Sequence, residues 1–222
     1  MPPVKIIGII PARFASTRFP GKPLVDIRGR SMIARVYEQA LKARRLDEII
    51  VATDDQRIFD HADQLGARVL MTSAGHVSGT DRCWEAYKNA GETFDHVINI
   101  QGDEPFIDPG QIDSLAEACD AETEIATQMI ACASHETLFD KAEVKIVLNA
   151  RGEAMYFSRS VIPFLRNHEE KEWHKHFKYY RHVGLYAYRV DVLEKICALE
   201  PSPVEKAESL EQLRVLSLGY KI

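Results

Sequence analysis

The chain has 222 residues, a formal net charge of −5, 45% apolar residues and 27% charged residues. That length suits one domain that buries roughly 70% of its unfolded surface without disulfide or metal staples. The net acidity excludes a general nucleic-acid binder, which carries a broad basic face. No apolar run approaches the ~20 residues of a membrane-spanning helix.

Val4–Ile10 is nearly all apolar, as a strand buried on both faces should be. The opening "MPPVKIIGII" has one lysine and no small-residue cleavage site, so it reads as a first strand and not as a signal peptide. A basic loop, "PARFASTRFPGKP", follows. Ser31 is then a plausible N-cap for a helix with Ile33, Val36, Tyr37, Ala40 and Leu41 on one face. "EIIVATDD" reads as a strand whose terminal acids cap the next helix. That helix carries Ile58, Phe59, Ala62 and Leu65, with Gly66 as its C′ residue. "RVLM" is a short strand, Asp81 to Ala90 a helix closed by Gly91, and "HVINI" a strand. "QGDEPFIDPGQ" leads into a helix from about Gly110 to Cys119.

From Ile125 the pattern changes. "IATQMIACA", "EVKIVLN", "EAMYFS" and "RHVGLYAY" are strand-like, with "NARG" as a hairpin turn. Helices are expected from about Asp191 and Ser209, and a further strand begins at "GYKI". The alternation in the first half predicts an α/β fold: a doubly wound, mostly parallel Rossmann-like sheet with a mixed antiparallel extension. One domain is expected over 1–222, with halves at about 1–124 and 125–222. Ligands of such sheets bind outside the carboxyl ends of the strands, near a topological switch point. The basic loop and "QGDEP" both lie at strand carboxyl ends, so they can face one crevice.

Arg13, Arg18 and Lys22 crowd into one loop of an acidic chain. A dinucleotide fold would have G-x-G-x-x-G there; Pro11 and Ala12 occupy its place. The loop can wrap a triphosphate, with Ser16, Thr17 and Gly21 offering donors and close approach. The other reading is a solvated basic turn. Asp103 follows Gly102 at a strand end, where one carboxylate with phosphate oxygens can hold Mg²⁺; a turn former is the alternative. Glu104 points elsewhere. In "MTSAGHVSGTDR", Ser78, Gly79 and Thr80 can lie against a base or ribose, or Asp81 or Thr80 can cap the helix. The four cysteines form no CxxC and read as reduced, mostly buried thiols. His174 and His176 sit in a charge-rich stretch that suits a solvated loop better than a metal site.

In order along the chain, "IIPARFASTRFPGKPL", "VATDD", "MTS…SGTDR", "INIQGDEP", "YFSRSVIPF", "RHVGLYAYR" and "LEQLRVL" resemble the 3-deoxy-manno-octulosonate cytidylyltransferase family, the CMP-Kdo synthetases, from Val4 to Ile222. The first motif alone is shared with CMP-sialic acid synthetases; its combination with "YFSRS", "RHVGLY" and "LEQLR" is more specific. The resemblance implies an α/β nucleotidyltransferase sheet and a cytoplasmic homodimer that uses CTP, Mg²⁺ and Kdo, an eight-carbon acidic sugar of lipopolysaccharide. The 2-hydroxyl of Kdo attacks the α-phosphorus of CTP and pyrophosphate leaves. It further implies Arg18, Lys22 and Asp103 as catalytic, with Asp103 on the metal. Pro11, Ala12, Arg13, Ser78 and Gln101 are expected at the nucleotide. Arg159, His182, Tyr186, Glu211 and Gln212 are expected at the sugar acid, His182 as a contact and not as a base. No nucleic-acid or membrane partner is expected. The family ordinarily continues into an acidic "D-x-P-E-D" segment that supplies a second metal-binding aspartate. No such segment follows "GYKI", so the expectation is either a shortened chain or a metal site completed differently. Alternatives are a cytidylyltransferase for amino-Kdo or a sialic acid, and a CTP-binding paralogue without chemistry.

Overall fold

The computed structural model describes residues 4–15 and 19–222. Its contacts divide the chain into a first unit, residues 1–126 and 185–197, and a second, residues 127–184 and 198–222.

The first unit is built on parallel strands. β1 (Ile6–Ala12) pairs in parallel with β2 (Glu48–Thr53) on one side and with β4 (His96–Asn99) on the other. β2 pairs in parallel with β3 (Arg68–Met71). Ile7, Ile9, Ile10, Ile50, Val51, Val97 and Ile98 are fully buried, so neighbouring residues of one strand are covered on opposite faces. That double burial is why these segments read as continuous apolar runs. The last part of β8 (Tyr180–Arg189) runs antiparallel to β4, with Tyr186 opposite Asn99.

The helices begin where local chemistry satisfies their free amides. Ser31 caps α1 (Met32–Ala40) and Asp55 caps α2 (Gln56–Gln64). Ser78 caps α3 (Gly79–Asn89), and a capping box of Asp108 and Gln111 opens α4 (Pro109–Glu117). Ile33, Val36, Tyr37 and Ala40 form the buried face of α1 as expected; Leu41 lies past its last turn and is exposed. Gly66 and Gly91 follow their helices at φ near 76°. The cap of α3 corrects the sequence reading, which gave that role to Asp81 or Thr80.

In the second unit, β6 (Lys145–Leu148) pairs antiparallel with β7 (Ala154–Ser158) and with the first part of β8. The β6–β7 connection turns at "NARG", with Gly152 at φ 80°. β5 (Ile125–Ala131) also pairs with β8. α5 (His135–Phe139) and α6 (Trp173–His176) cover a cluster of Cys132, Leu138, Trp173 and Tyr179. His174 and His176 therefore sit in a helical turn and not in an irregular loop. After α7 (Val190–Cys197), which belongs to the first unit, come α8 (Pro203–Glu208) and α9 (Gln212–Leu216). Leu210 and Leu213 pack with Ile146 and Phe157. Ser209, where a helix was expected to start, is instead the left-handed cap that ends α8, at φ 54°. Residues 219–222 form no strand, although the Ala154 amide donates to the Ile222 carbonyl at 2.7 Å. All four cysteines are free thiols. Among the described residues no helix is long and apolar enough to cross a membrane.

Candidate active site

The order β3-β2-β1-β4 places β2 and β4 on opposite sides of β1. The chain winds outward from β1 in one direction and then returns to start in the other. The gap between the carboxyl ends of β1 and β4 is thus the switch point of this parallel sheet, the place where such sheets open a crevice. A cavity of about 510 Å³ lies there.

Pro11, Ala12 and Arg13 line it from the end of β1, and Gln101, Gly102 and Asp103 from beyond β4. Two glycines bring these segments together. A Cβ on Gly102 would stand 2.5 Å from the Pro11 carbonyl oxygen, and one on Gly79 would stand 3.3 Å from the Pro11 ring. The turn after β4 lies directly against the β1 backbone, and only a hydrogen fits between them.

After Arg13 the loop returns at Gly21, which is left-handed and donates to the Phe14 carbonyl at 2.9 Å. Phe14 in turn lies under the Arg57 guanidinium, 3.3 Å from the ring centre, a cation–π contact that ties the loop to α2. The return aims Lys22 into the cavity, where its Nζ donates to Asp103 Oδ2 at 2.6 Å. Arg13 is exposed. Ser16, Thr17 and Arg18 lie outside the described residues.

The first turn of α3 closes another side. Ser78 lines the cavity, but its hydroxyl oxygen accepts from the Asp81 amide and its O–H donates to Asp81 Oδ2 at 2.8 Å. Its side chain caps α3 at the cavity wall. Arg82 and His76 also border the cavity, and the sequence reading assigned neither. Arg82 is 3% exposed and pairs with Asp54 at 2.9 Å, while its other nitrogen reaches the Thr72 hydroxyl. The "DD" after β2 and the "DR" in the α3 segment were the available signal, a carboxylate and a guanidinium in neighbouring βα turns. His76 and the Ser73 amide both bond Glu85 of α3, fixing residues 73–78 along the rim.

The remaining expected residues are elsewhere. Tyr186 is a buried β8 residue of the first unit, stacked on Tyr188, and does not line the cavity. Arg159, His182, Glu211 and Gln212 belong to the second unit. The Arg159 side chain donates to the carbonyls of Glu208 at 2.8 Å and Lys141 at 3.2 Å. His182 Nε2 is 2.9 Å from the Thr127 hydroxyl, its ring meets Phe157 edge-on, and burial pushes its pKa down to about 4. It is therefore neutral near pH 7. Glu211 and Gln212 are half-buried at the start of α9, whose Leu213 and Val215 are core.

Among the described residues no three His, Cys, Asp or Glu side chains converge as a metal cage. Mg²⁺ does not need one: it keeps waters and takes one or two carboxylates plus substrate phosphates. Asp103, with half its side chain exposed at the cavity, has the right donor chemistry for that kind of site.

A cavity at the switch point of a Rossmann-like sheet, rimmed by Arg13 and Lys22 with a single carboxylate at Asp103, defines a nucleotidyltransferase kind of protein. A family described as "Cytidylyltransferase" matches residues 7–222. The chain is 50% identical over 220 residues to the 3-deoxy-manno-octulosonate cytidylyltransferase of Cytophaga hutchinsonii, covering 99% of this chain and 88% of that one. It is 53% identical over 224 residues to the protein of the same name from Parabacteroides distasonis, with the same coverage. Among solved structures, a CMP:2-keto-3-deoxy-manno-octonic acid synthetase complexed with CTP superposes with a TM-score of 0.90 at 43% identity, covering 98% of this chain and 88% of that one. The chain belongs to the 3-deoxy-manno-octulosonate cytidylyltransferases within that family.

Proposed function

We propose that this protein transfers CMP from CTP to the 2-hydroxyl of Kdo, releasing pyrophosphate. The relatives' names and the CTP complex of the similar structure support the substrates. The observation that carries the reading in this chain is the meeting of Arg13, Lys22 and Asp103 at one switch-point cavity.

In this reading the chemistry is positioning plus charge neutralisation, because a hydroxyl attacking phosphorus drives negative charge onto the leaving phosphates. Arg13 offers a planar fork to phosphate oxygens, Lys22 a compact point charge, and Arg18 extends the same loop. Lys22 and Asp103 neutralise each other until a triphosphate competes for the ammonium, and that exchange releases the carboxylate. Asp103 would hold Mg²⁺, which would supply positive charge against the charge developing on the phosphates. Pro11, Ala12 and Gln101 border the nucleotide, and Ser78 holds the adjoining helix start. The first unit serves the nucleotide. Arg159, His182, Glu211 and Gln212 of the second unit serve the sugar acid: the guanidinium for its carboxylate, the others for its hydroxyls. The working form is a cytoplasmic homodimer.

Pyrophosphate release is the test. The protein is incubated with Mg²⁺, each of CTP, UTP, GTP and ATP, and each of Kdo, amino-Kdo and a sialic acid. Release is expected with CTP and Kdo. Equal release with UTP or GTP, or a preference for another sugar acid, would refute this assignment.

A further inference from the structure

Lys145 is a lysine with 0% exposure, placed at the first position of β6. Lysine ammonium groups are almost never fully buried without a partner of opposite charge, because removal from water costs several kcal/mol. Among the described residues Lys145 has no salt bridge. Its Nζ donates instead to two main-chain carbonyls, Asp140 at 2.8 Å and Glu143. Burial holds its pKa below the ordinary lysine value.

The two carbonyls belong to one tight loop. The Ala142 amide donates to Asp140 Oδ1 at 2.8 Å and the Glu143 amide to the Asp140 carbonyl at 3.2 Å. Lys145 pulls both ends of that loop onto the start of β6. Between them stands the Lys141 carbonyl, which accepts from the Arg159 guanidinium. The other Arg159 contacts are also carbonyls, Glu208 at 2.8 Å and Ser209 at 3.5 Å. No carboxylate salt-bridges this guanidinium among the described residues. The nearby Glu208 carboxylate is engaged by the Ser158 hydroxyl and the Arg159 backbone amide.

Register explains the coupling. Lys145 lies opposite Ser158 on β7 and opposite Arg181 on β8. One step beyond that row come Arg159 and His182, and the His182 amide donates to the Val144 carbonyl at 2.7 Å. The Glu143 carboxylate meanwhile pairs with Arg181 at 2.9 Å. The loop therefore distributes its groups: carbonyls for Lys145 and Arg159, its carboxylate for Arg181.

We infer that Lys145 is a positioning residue for the sugar-acid site: by clamping the 140–143 loop it sets the Lys141 carbonyl against Arg159 and keeps that guanidinium oriented and unneutralised for an anionic substrate. This rests on the reading of Arg159 as the sugar-acid contact.

The experiment is a double-mutant cycle of Lys145→Met with Arg159→Ala, reading KM for Kdo, kcat from pyrophosphate release, and calorimetric CTP affinity. Lys145→Met keeps the stem and removes the charge and donors. Roughly a tenfold rise in KM for Kdo is expected, with kcat and CTP affinity within about twofold, as for one coupled contact. In the Arg159→Ala background the same change should add nothing, because its effect passes through Arg159. An unchanged KM, an additive double variant or an equal loss of CTP affinity would overturn the inference. Lys145→Gln, which keeps one donor without charge, is measured if Lys145→Met does not fold. Failure of both to fold would make Lys145 a folding residue and also overturn it. Wild-type protein that releases no pyrophosphate from CTP and Kdo would sink the parent reading itself, a result distinct from any of these.

Discussion

At the scale of the residue, Gly102 and His182 show how one atom or one proton decides a local structure. A methyl at Gly102 would lie 2.5 Å from the Pro11 carbonyl oxygen, and the obstacle is backbone, so no side-chain rotation relieves it. Gly102→Ala should separate the turn after β4 from β1 and carry Asp103 away from Lys22. The expected result is at least a ~10²-fold loss of turnover, the size of losing one preorganised charge contact, with CTP affinity measured alongside. Wild-type turnover would contradict the close approach. His182 concerns stability. Its folded pKa of about 4 lies below the ordinary 6.5 because burial disfavours the charged ring. The unfolded chain therefore binds its proton first as pH falls. Stability is complete above pH 6.5 and lost between about 6.5 and 4, on the order of 3 kcal/mol in all. Burial shifts His96 the same way and adds to the slope. Urea midpoints at pH 7 and pH 5 should differ in wild type and differ less in His182→Gln. An unchanged difference would show that His182 is not buried as a neutral ring.

At the scale of the element, α8 and α9 are joined by an ion pair. Arg214 of α9 reaches both carboxylate oxygens of Glu205 in α8, at 2.6 and 2.8 Å, and both side chains are nearly buried. Glu205→Ala strands the guanidinium and also removes half of the capping box with Ser202, so about 3 kcal/mol of stability should go. The double variant Glu205→Leu, Arg214→Met should cost clearly less. A denaturation midpoint unmoved by Glu205→Ala would show that the pair contributes nothing. These helices also mark the limit of what the sequence discloses. "SPVE" carries a legible Ser-x-x-Glu start signal, but Ser209 looks like a helix start as well. Only its left-handed backbone, set by packing of Leu210 and Leu213 on Ile146 and Phe157, makes it an end. In the first unit the strands and caps are legible because double burial leaves apolar runs and because Ser31 and Asp55 precede their helices. Arg82 is the counterexample. On a helix its charge reads as a solvated face, and its burial depends on Asp54 arriving from another βα turn. For the site, the basic loop and Asp103 can be read from strand ends. The clamp by Lys145 cannot, because its partners are carbonyls, which carry no side-chain signature.

At the scale of the whole molecule, a chain of net charge −5 keeps a concentration of positive charge at one switch-point cavity. An acidic surface discourages indiscriminate binding of polyanions, while a local basic cleft still draws a small anion. Both proposed substrates are anions, so the account requires that charge at the cavity, more than total charge, governs turnover. Lys22 tests this most directly, since its ammonium is within hydrogen-bond distance of Asp103 and borders the cavity. The decisive measurement is pyrophosphate release from CTP and Kdo by wild type and Lys22→Ala, with thermal melts of both. The account predicts turnover lower by roughly 10²-fold at an unchanged Tm, because a cavity charge stabilises the transition state and an exposed ion pair adds little to folding. Full turnover per folded molecule in Lys22→Ala would contradict it and return the basic loop to the status of a solvated turn.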